Sequence, residues 1–197
     1  AQFGFLGTDI MAEGPLNSKK GSSYLAMFRY STLDLFNFLG IQIGTDAVPK
    51  YYDGAFKLNF PLANNGNLSV WGIGGNSTID IILSADEVPD TTTFLFGDND
   101  RDQYFTSHMF TGGLTYTQPL STEAFIKAGI AASQSQVVAH HDYISRRTVN
   151  GKFVLDSLPP ILDYTFRETK YSSYVFLNQK LNRQLTLKTG LQLDLFQ

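Results

Sequence analysis

Residues 185–195 read Leu-Thr-Leu-Lys-Thr-Gly-Leu-Gln-Leu-Asp-Leu, with a leucine at nearly every second position. Side chains alternate between the two faces of a β-strand, so this stretch predicts a strand with one apolar and one polar face. Its two charged residues, Lys188 and Asp194, both fall on the polar face. The stretch therefore indicates a sheet whose two faces differ sharply in polarity.

The same alternation recurs along the chain. It is clear in residues 24–30, 56–62, 110–117 and 124–133, and weaker in residues 68–76 and 170–177. A further strand ends at Ala12. Lys57 and Lys127 lie on the polar side of their runs. The pattern predicts an all-β chain of about seven to eight antiparallel strands in up-and-down order.

The connections between these runs alternate between short and long. The short ones are Glu13–Gly21, Ala63–Asn67, Gln118–Thr122 and Asn178–Arg183, and the long ones are Ser31–Pro49, Ser77–Asp102 and Ala139–Tyr164. In an up-and-down sheet, successive connections lie at opposite ends, so every long connection is expected at one end. Outer-membrane barrels have this asymmetry, with tight periplasmic turns and long extracellular loops.

Strand length and aromatic placement favour a membrane barrel. Several runs reach about ten residues, which is the length that a tilted strand needs to cross a bilayer. Tyrosines and phenylalanines stand near strand ends, where an interfacial girdle would lie. They are Tyr24, Tyr30, Tyr51, Tyr52, Tyr104, Phe105, Tyr116, Tyr171 and Phe196. Two alternatives remain open: a soluble or secreted β-sandwich binding module, and a small self-contained outer-membrane barrel.

Composition narrows the functional classes. The 197 residues contain no cysteine, which excludes disulfide scaffolds and thiol nucleophiles. A net charge of -3 without an extended basic cluster gives nucleic-acid binding little support. No run approaches 18 apolar residues, so a transmembrane helix is not expected. The chain carries neither a Gly-x-Ser-x-Gly elbow nor an HExxH motif, so we do not expect an enzyme.

Strand direction leads to an expectation about extent. With the short turns in the periplasm, both ends of the chain fall on the extracellular side, unlike those of a complete bacterial barrel. We therefore expect residues 1–197 to form one domain, a block of consecutive strands from a larger barrel. Residues 1–5 are expected to be the stub of an earlier strand.

Two stretches carry a family resemblance. Residues 4–16 run Gly-Phe-Leu-Gly-Thr-Asp-Ile-Met-Ala-Glu-Gly-Pro-Leu, and residues 21–35 run Gly-Ser-Ser-Tyr-Leu-Ala-Met-Phe-Arg-Tyr-Ser-Thr-Leu-Asp-Leu. Together they resemble the first barrel hairpin of Bacteroidetes-type TonB-dependent outer-membrane receptors, in which a strand ends in a Glu-Gly-Pro turn. Outside residues 4–35, the likeness rests on the strand-and-loop rhythm and on residues 54–60 and 71–77.

The resemblance implies a location in the cell outer membrane and a 22-stranded, plugged barrel. It further implies nutrient uptake driven by a TonB-type energy coupler acting through the plug. The expected partners are lipid, the remaining barrel strands, the plug and a nutrient that the sequence does not identify. The chain itself contains no recognisable plug or TonB box.

One segment is a candidate metal site. Asp98, Asp100 and Asp102 alternate within Gly97–Gln103, and alternating carboxylates can converge on a hard cation such as Ca²⁺. Gln103 and Met109 occupy the places of the EF-hand glycine and glutamate, so the motif is not an EF-hand. A solvated acidic loop is the alternative. No other cofactor is expected.

Two further clusters have structural explanations. His140, His141 and Asp142 are adjacent, and neighbours on an extended segment point to opposite sides, so one metal ion cannot easily bind both histidines. The loop residues Leu33, Leu35, Phe36 and Leu39 have the spacing of one helical face, and Phe94 and Phe96 stand in another loop. A short packing helix is the favoured interpretation of the first group; the alternative is that these apolar loop residues line the extracellular mouth of a receptor or fold back over its plug. The glycines of Trp71–Gly75 are expected to relieve crowding in a curved wall.

Overall fold

The computed structural model describes residues 1–4, 7–31, 49–85 and 98–197. This part of the chain is built from eleven β-strands and one short 3-10 turn, Ala63–Asn65. The strands are β1 (Gln2–Phe3), β2 (Thr8–Asn17), β3 (Ser22–Tyr30), β4 (Lys50–Pro61), β5 (Asn67–Ile81), β6 (Arg101–Pro119), β7 (Ala124–Tyr143), β8 (Ser145–Val149), β9 (Lys152–Ser157), β10 (Pro160–Lys180) and β11 (Thr186–Phe196). No helix among the described residues is long and apolar enough to cross a membrane.

Nine of the strands form one antiparallel sheet, in the order β1-β2-β3-β4-β5-β6-β7-β10-β11. The eight predicted runs correspond to β2 to β7, β10 and β11, so the all-β, antiparallel, up-and-down prediction is confirmed. The predicted stub contains β1, which pairs with Thr8 and Asp9 of β2.

The sheet is open. Its edges are β1 and β11, which do not pair with each other in the part of the chain that the structure describes. Beyond its two-residue pairing with β1, β2 has no second strand partner on that side among the described residues. The described strands therefore do not close into a barrel.

The short connections are tight turns at one end of the sheet. In two of them an asparagine side chain closes the turn: Asn17 Oδ1 accepts hydrogen bonds from the amides of Lys19 and Lys20, at 3.0 and 3.2 Å. Asn182 Oδ1 accepts from Gln184 and Leu185 in the same way, at 2.9 Å each. Asparagine favours such turns because its side chain replaces a backbone acceptor.

The first short connection was predicted too long. β2 continues through the Glu-Gly-Pro segment to Asn17, so only residues 18–21 form the turn, and not Glu13–Gly21. The ladder to β3 shifts register between Pro15 and Asn17. Proline is tolerated at such a bulge near a sheet edge, so Gly14 and Pro15 do not end the strand.

The bounds of the first long connection, Ser31–Pro49, were predicted correctly, since β3 ends at Tyr30 and β4 begins at Lys50. The other two long connections were predicted too long. β5 extends past Ser77 to Ile81, and β6 begins at Arg101. The predicted loop Ala139–Tyr164 is wrong, because β7 runs to Tyr143, β10 starts at Pro160, and β8 and β9 form a hairpin between them. That hairpin turns at Asn150 and Gly151, whose φ angles are 53° and 76°. Asn-Gly is the preferred dipeptide for this two-residue turn.

The small buried core lies at the end of the sheet that carries the long connections. Ile81, Leu83 and Ile144 are buried there, with Ile79 and Phe105 packed against them. Asp102 Oδ1 accepts hydrogen bonds from the amides of Leu83 and Ser84, both at 2.8 Å. These bonds tie the connection after β5 to the start of β6.

Candidate functional site

The register divides the strand side chains between two faces, because residues paired across an antiparallel ladder point to the same side. One face, which we call the apolar face, carries the row Ala12, Ala26, Phe56, Gly72, Gly112, Ala132, Tyr171 and Leu195. The opposite face, the polar face, carries the row Glu13, Leu25, Lys57, Trp71, Gly113, Ala131, Ser172 and Asp194.

A belt without a charged side chain crosses eight strands of the apolar face. It comprises every second residue of Ile10–Gly14, Tyr24–Phe28, Gly54–Phe60, Leu68–Gly74, Phe110–Tyr116, Ala124–Ala132, Tyr171–Leu177 and Leu187–Leu195. Its side chains are open to the surroundings: Leu191 is 77% exposed, and Phe110 and Ile130 are each 58% exposed. An apolar surface of this breadth marks contact with a membrane or a partner.

The belt has a defined height. It is tallest in β7 and β11, where it covers nine residues, or about 27 Å along the strand, and it covers five residues in β2 and β3 and seven in β4, β5, β6 and β10. Toward the long connections it ends at a mostly polar row consisting of Thr8, Tyr30, Tyr52, Asn76, His108, Gln136 and Arg167. In that row the Arg167 guanidinium donates to Gln136 Oε1 from Nε and Nη2, at 3.0 and 2.8 Å.

Two open depressions lie mainly on the apolar face. They have volumes of about 680 and 400 Å³, share Leu114, Ile130 and Leu193 in their linings, and carry little polar surface. Specific ligand sites combine apolar walls with a few convergent polar groups, which are sparse here. These depressions suit flexible apolar chains better than a specifically recognised molecule.

The polar face carries a lattice of hydrogen bonds across strands. Ser69 Oγ donates to Asn59 Oδ1 at 2.7 Å, and Asn67 Nδ2 donates to Ser69 Oγ at 3.1 Å. Trp71 Nε1 donates to Thr115 Oγ1 at 3.3 Å, and that hydroxyl is 3.4 Å from the Tyr174 hydroxyl. These contacts link β4, β5, β6 and β10.

Several charges of the polar face are neutralised within the sheet. Arg29 Nη2 lies 2.8 Å from Asp53 Oδ2, between β3 and β4. Lys170 Nζ lies 3.4 Å from Asp194 Oδ2, and Asp194 Oδ1 also accepts a 2.7 Å hydrogen bond from Ser172. These groups already have partners, so they do not require a ligand.

A groove of about 500 Å³ on the polar face has a different character. We call it the lysine groove; the residues of its lining used below are Lys57, Asn59, Ser69, Trp71, Thr115 and Lys127. Among the described residues, neither lysine has an acidic side chain within ion-pair distance. Its volume lies within the usual range for small-molecule sites.

Large aromatic rings of the sheet lie against glycines of the neighbouring strand. A Cβ added at Gly129 would lie 2.6 Å from Tyr174 Cζ, and one at Gly72 would lie 2.6 Å from Phe56 Cε1. At Gly113 the Trp71 ring is 3.0 Å away, but the backbone oxygen of Ile130 is nearer, at 2.5 Å. In each case ring and glycine are direct cross-strand partners. The expectation that glycines relieve crowding next to Trp71 is thus confirmed at Gly72, where the Phe56 ring is the cause, whereas at Gly74 and Gly75 the nearest atoms include backbone oxygens of Met109 and Tyr52.

Beyond the belt, at the end with the long connections, a histidine is buried. His141 is 8% exposed, and its ring meets the Phe105 ring edge-on at a centroid distance of 5.2 Å. Within the described ranges, neither ring nitrogen has a hydrogen-bond partner, and neither does Asp102 Oδ2. Burial, and secondarily the charge of Arg101, lower the pKa of His141 below its usual 6.5. The ring is therefore neutral at pH 7.

The three aspartates of the calcium prediction have separate roles in the structure. Arg101 Nε lies 2.7 Å from Asp100 Oδ1 and 3.4 Å from Asp98 Oδ2, and its hydrogen bond lowers the pKa of Asp100. Asp102 is buried and bonds to backbone amides, as described above. Among residues 1–4, 7–31, 49–85 and 98–197, no three His, Asp or Glu side chains are gathered as metal ligands. Calcium binding at Asp98, Asp100 and Asp102 stays a prediction.

The adjacent histidines lie on opposite faces, as the alternation predicts. His140 Nε2 lies 3.0 Å from Asp142 Oδ1, and Nδ1 lies 3.7 Å from Asp163 Oδ2. His141 turns the other way, into the core. The expected helical face at Leu33–Leu39, and Phe94 and Phe96, lie outside the described residues.

Neither protein-family models nor curated proteins give a match to this chain. The site therefore has to be interpreted from its own geometry. The alternation along the sequence predicts the two faces but not the lysine groove, because the residues of the groove come from strands whose register no single run encodes. The positions of Gly72, Gly113 and Gly129 opposite aromatic rings likewise become apparent only from the register.

Proposed function

We propose that this chain forms part of the wall of an outer-membrane β-barrel of the TonB-dependent receptor type. In this proposal the apolar face contacts lipid, the polar face lines the lumen, and the long connections face the outside of the cell. The wall carries no catalysis. It serves uptake of a nutrient, together with the further strands, the plug and the energy coupler that the resemblance in residues 4–35 implies.

The observation that carries the proposal is the charge-free belt. Transmembrane barrels present an apolar band about 25 Å tall to lipid, and a cation at its midplane costs about 2–4 kcal/mol. The belt of this sheet reaches about 27 Å along β7 and β11 before tilt, which is close to that height. The charges of the crossing segments lie on the other face.

The open edges bear on the same proposal. A backbone group without a hydrogen-bond partner costs several kcal/mol in hydrocarbon, so sheets cross membranes only as closed barrels. The free edges at β2 and β11 would therefore need further strands once the apolar face is in lipid. The remaining barrel strands are the partner that supplies them.

The alternatives receive less support. A soluble sandwich needs a second sheet over the apolar face. In the described part of the chain the second sheet is only the β8–β9 hairpin, and the belt is exposed. A small self-contained barrel needs β11 to pair near the start of the chain, and no such pairing occurs within the described residues.

Nitroxide scanning along β7 tests the proposal. Because the sequence has no cysteine, single-cysteine variants at Ile130, Ala131, Ala132 and Ser133 can each be labelled at one place. With the receptor in phospholipid vesicles, labels at Ile130 and Ala132 are expected to collide with oxygen, and labels at Ala131 and Ser133 with a water-soluble nickel chelate. Equal access of the chelate to all four positions would refute the membrane assignment.

A further inference from the structure

The charges of the polar face are not evenly spread. The row Asn59, Ser69, Thr115 and Tyr174 divides this face into two parts. In the part between this row and the short turns, the charged strand residues are Lys127, Lys180 and Lys188. The acidic residues of the face all lie on the other side of that row, nearer the long connections: Asp9, Glu13, Asp53, Glu168 and Asp194. The turns themselves add Lys19, Lys20 and Arg183 against Glu123. The half of the face nearer the short turns is thus cationic, and Lys57 lies two residues beyond the dividing row, on the side of the acidic residues.

We infer that the lysine groove binds a small anion, a molecule carrying a carboxylate or phosphate group. Arg29 and Lys170 are neutralised by Asp53 and Asp194, whereas Lys57 and Lys127 have no acidic partner among the described residues. An ammonium group offers three hydrogen-bond donors, and carboxylates and phosphates are its strongest acceptors. The inference rests on the proposed function, since it takes the polar face as the lumen.

The floor between the two lysines is already organised. Hydrogen bonds join Asn59 to Ser69 and Trp71 to Thr115, as given above. Binding an anion there therefore needs little reordering of the wall. Lys188 extends the positive region, with Nζ 4.4 Å from the centroid of Phe176, the cross-strand partner of Lys127. A water-filled lumen lined by one sign of charge concentrates counter-ions.

Two matched cysteine positions test the inference in the assembled receptor in vesicles. Thr117 is the cross-strand partner of Lys127, and Ser135 is the partner of Glu168, both on the polar face. The rates of modification of Thr117→Cys and Ser135→Cys are measured with an anionic and a cationic methanethiosulfonate of similar size. The anion-to-cation rate ratio is expected to be about ten-fold higher at Thr117→Cys. It should fall toward that of Ser135→Cys in the K127Q/K188Q background and in 1 M KCl.

Inorganic phosphate, a dicarboxylate and, as a control, a neutral polyol then serve as competitors. Phosphate or the dicarboxylate is expected to slow labelling of Thr117→Cys but not of Ser135→Cys, and K57Q or K127Q should abolish this protection. Equal rate ratios at the two positions, or protection by the polyol alone, would overturn the inference. Exclusion of both reagents from Thr117→Cys would also overturn it, because the groove would then be closed to small anions.

The two proposals fail in different ways. If a label at Ile130 is reached by the nickel chelate, the membrane wall itself is refuted. If Ile130 lies in lipid while Thr117→Cys shows no anion preference, only the anion site is refuted.

Discussion

At the residue scale, the sheet is organised by rings that lie across glycines. Glycine weakens an isolated strand because it has no side chain to pack and loses more backbone entropy on folding. In this sheet the space above Gly72 and Gly129 is filled by the rings of Phe56 and Tyr174 on adjacent strands, whereas the atom nearest to Gly113 is the backbone oxygen of Ile130. Gly72 and Gly129 are therefore required by their ring partners, and the cost of a side chain at either of them depends on the ring opposite.

Gly129→Ala is expected to destabilise the protein, although alanine alone would favour a strand over glycine. Its Cβ would lie 2.6 Å from Tyr174 Cζ, and overpacking of this kind costs about 1–3 kcal/mol. Urea unfolding in phospholipid vesicles measures the change in free energy. Tyr174→Ala provides the control: in that background Gly129→Ala should be neutral, giving a coupling energy of about 1 kcal/mol or more. Equal effects of Gly129→Ala in the two backgrounds would show that the ring is not the cause.

At the scale of elements, the sequence predicted the strands better than their ends. The alternation of apolar and polar residues identified β2 to β7, β10 and β11. A strand with one face in an apolar environment and the other in a polar one has this alternation in its own sequence. The sheet partners follow from the up-and-down order. Neither requires knowledge of distant contacts.

The ends were less predictable, because beyond the belt the two faces change character. Ile79, Ile81 and Phe105 are apolar on the polar side of the sheet, while Asp80, Tyr104 and His140 occupy the other side. The alternation that marks the belt ends where the apolar residues change to the other side of the sheet. The predicted strands therefore stopped before the true ends of β5 and β7. Likewise the lysine groove depends on register across four strands, which a single run of sequence does not specify.

The β8–β9 hairpin was missed although its turn has a strong local signal. Asn150 and Gly151 both take positive φ, as a two-residue hairpin turn requires. The surrounding residues do not alternate cleanly, because the hairpin stands apart from the sheet, with Val149, Phe153 and Leu155 all exposed. Turn chemistry, rather than hydrophobic periodicity, was the informative feature here.

Gly151→Val is expected to open this hairpin without disturbing the large sheet. A β-branched residue at a φ of 76° is strained by about 1–2 kcal/mol, which raises the open population roughly 5- to 30-fold. Limited trypsin digestion measures the effect through cleavage after Arg147 and Lys152. Thr148→Val, which adds a branched apolar side chain at a position without positive φ, should leave the cleavage rate near that of the parent. A matching increase in Thr148→Val would contradict the turn mechanism.

At the scale of the whole molecule, the exposure of a belt residue in the isolated sheet should not predict how well a charged side chain is tolerated there in a membrane. In water, a substitution at an exposed position such as Leu193, which is 59% exposed, usually changes stability by less than about 0.5 kcal/mol. In lipid the same position is a poor place for a charge, because the belt is solvated by hydrocarbon. The surroundings of the sheet, rather than its own contacts, therefore decide the outcome.

If the belt faces lipid as proposed, Leu193→Lys is expected to destabilise the protein in phospholipid vesicles by about 2–4 kcal/mol. Gln192→Lys, one residue earlier in the same strand, places the same cation on the polar face beside Asp194 and should change stability by less than about 1 kcal/mol. Urea unfolding followed by tryptophan emission compares the two variants with the parent, since Trp71 is the single indole. A soluble module with a solvent-exposed face would tolerate both substitutions alike, whereas a buried sandwich face would reject Leu193→Lys even without lipid. Loss of stability that is confined to Leu193→Lys and requires the bilayer would therefore distinguish a membrane wall from both.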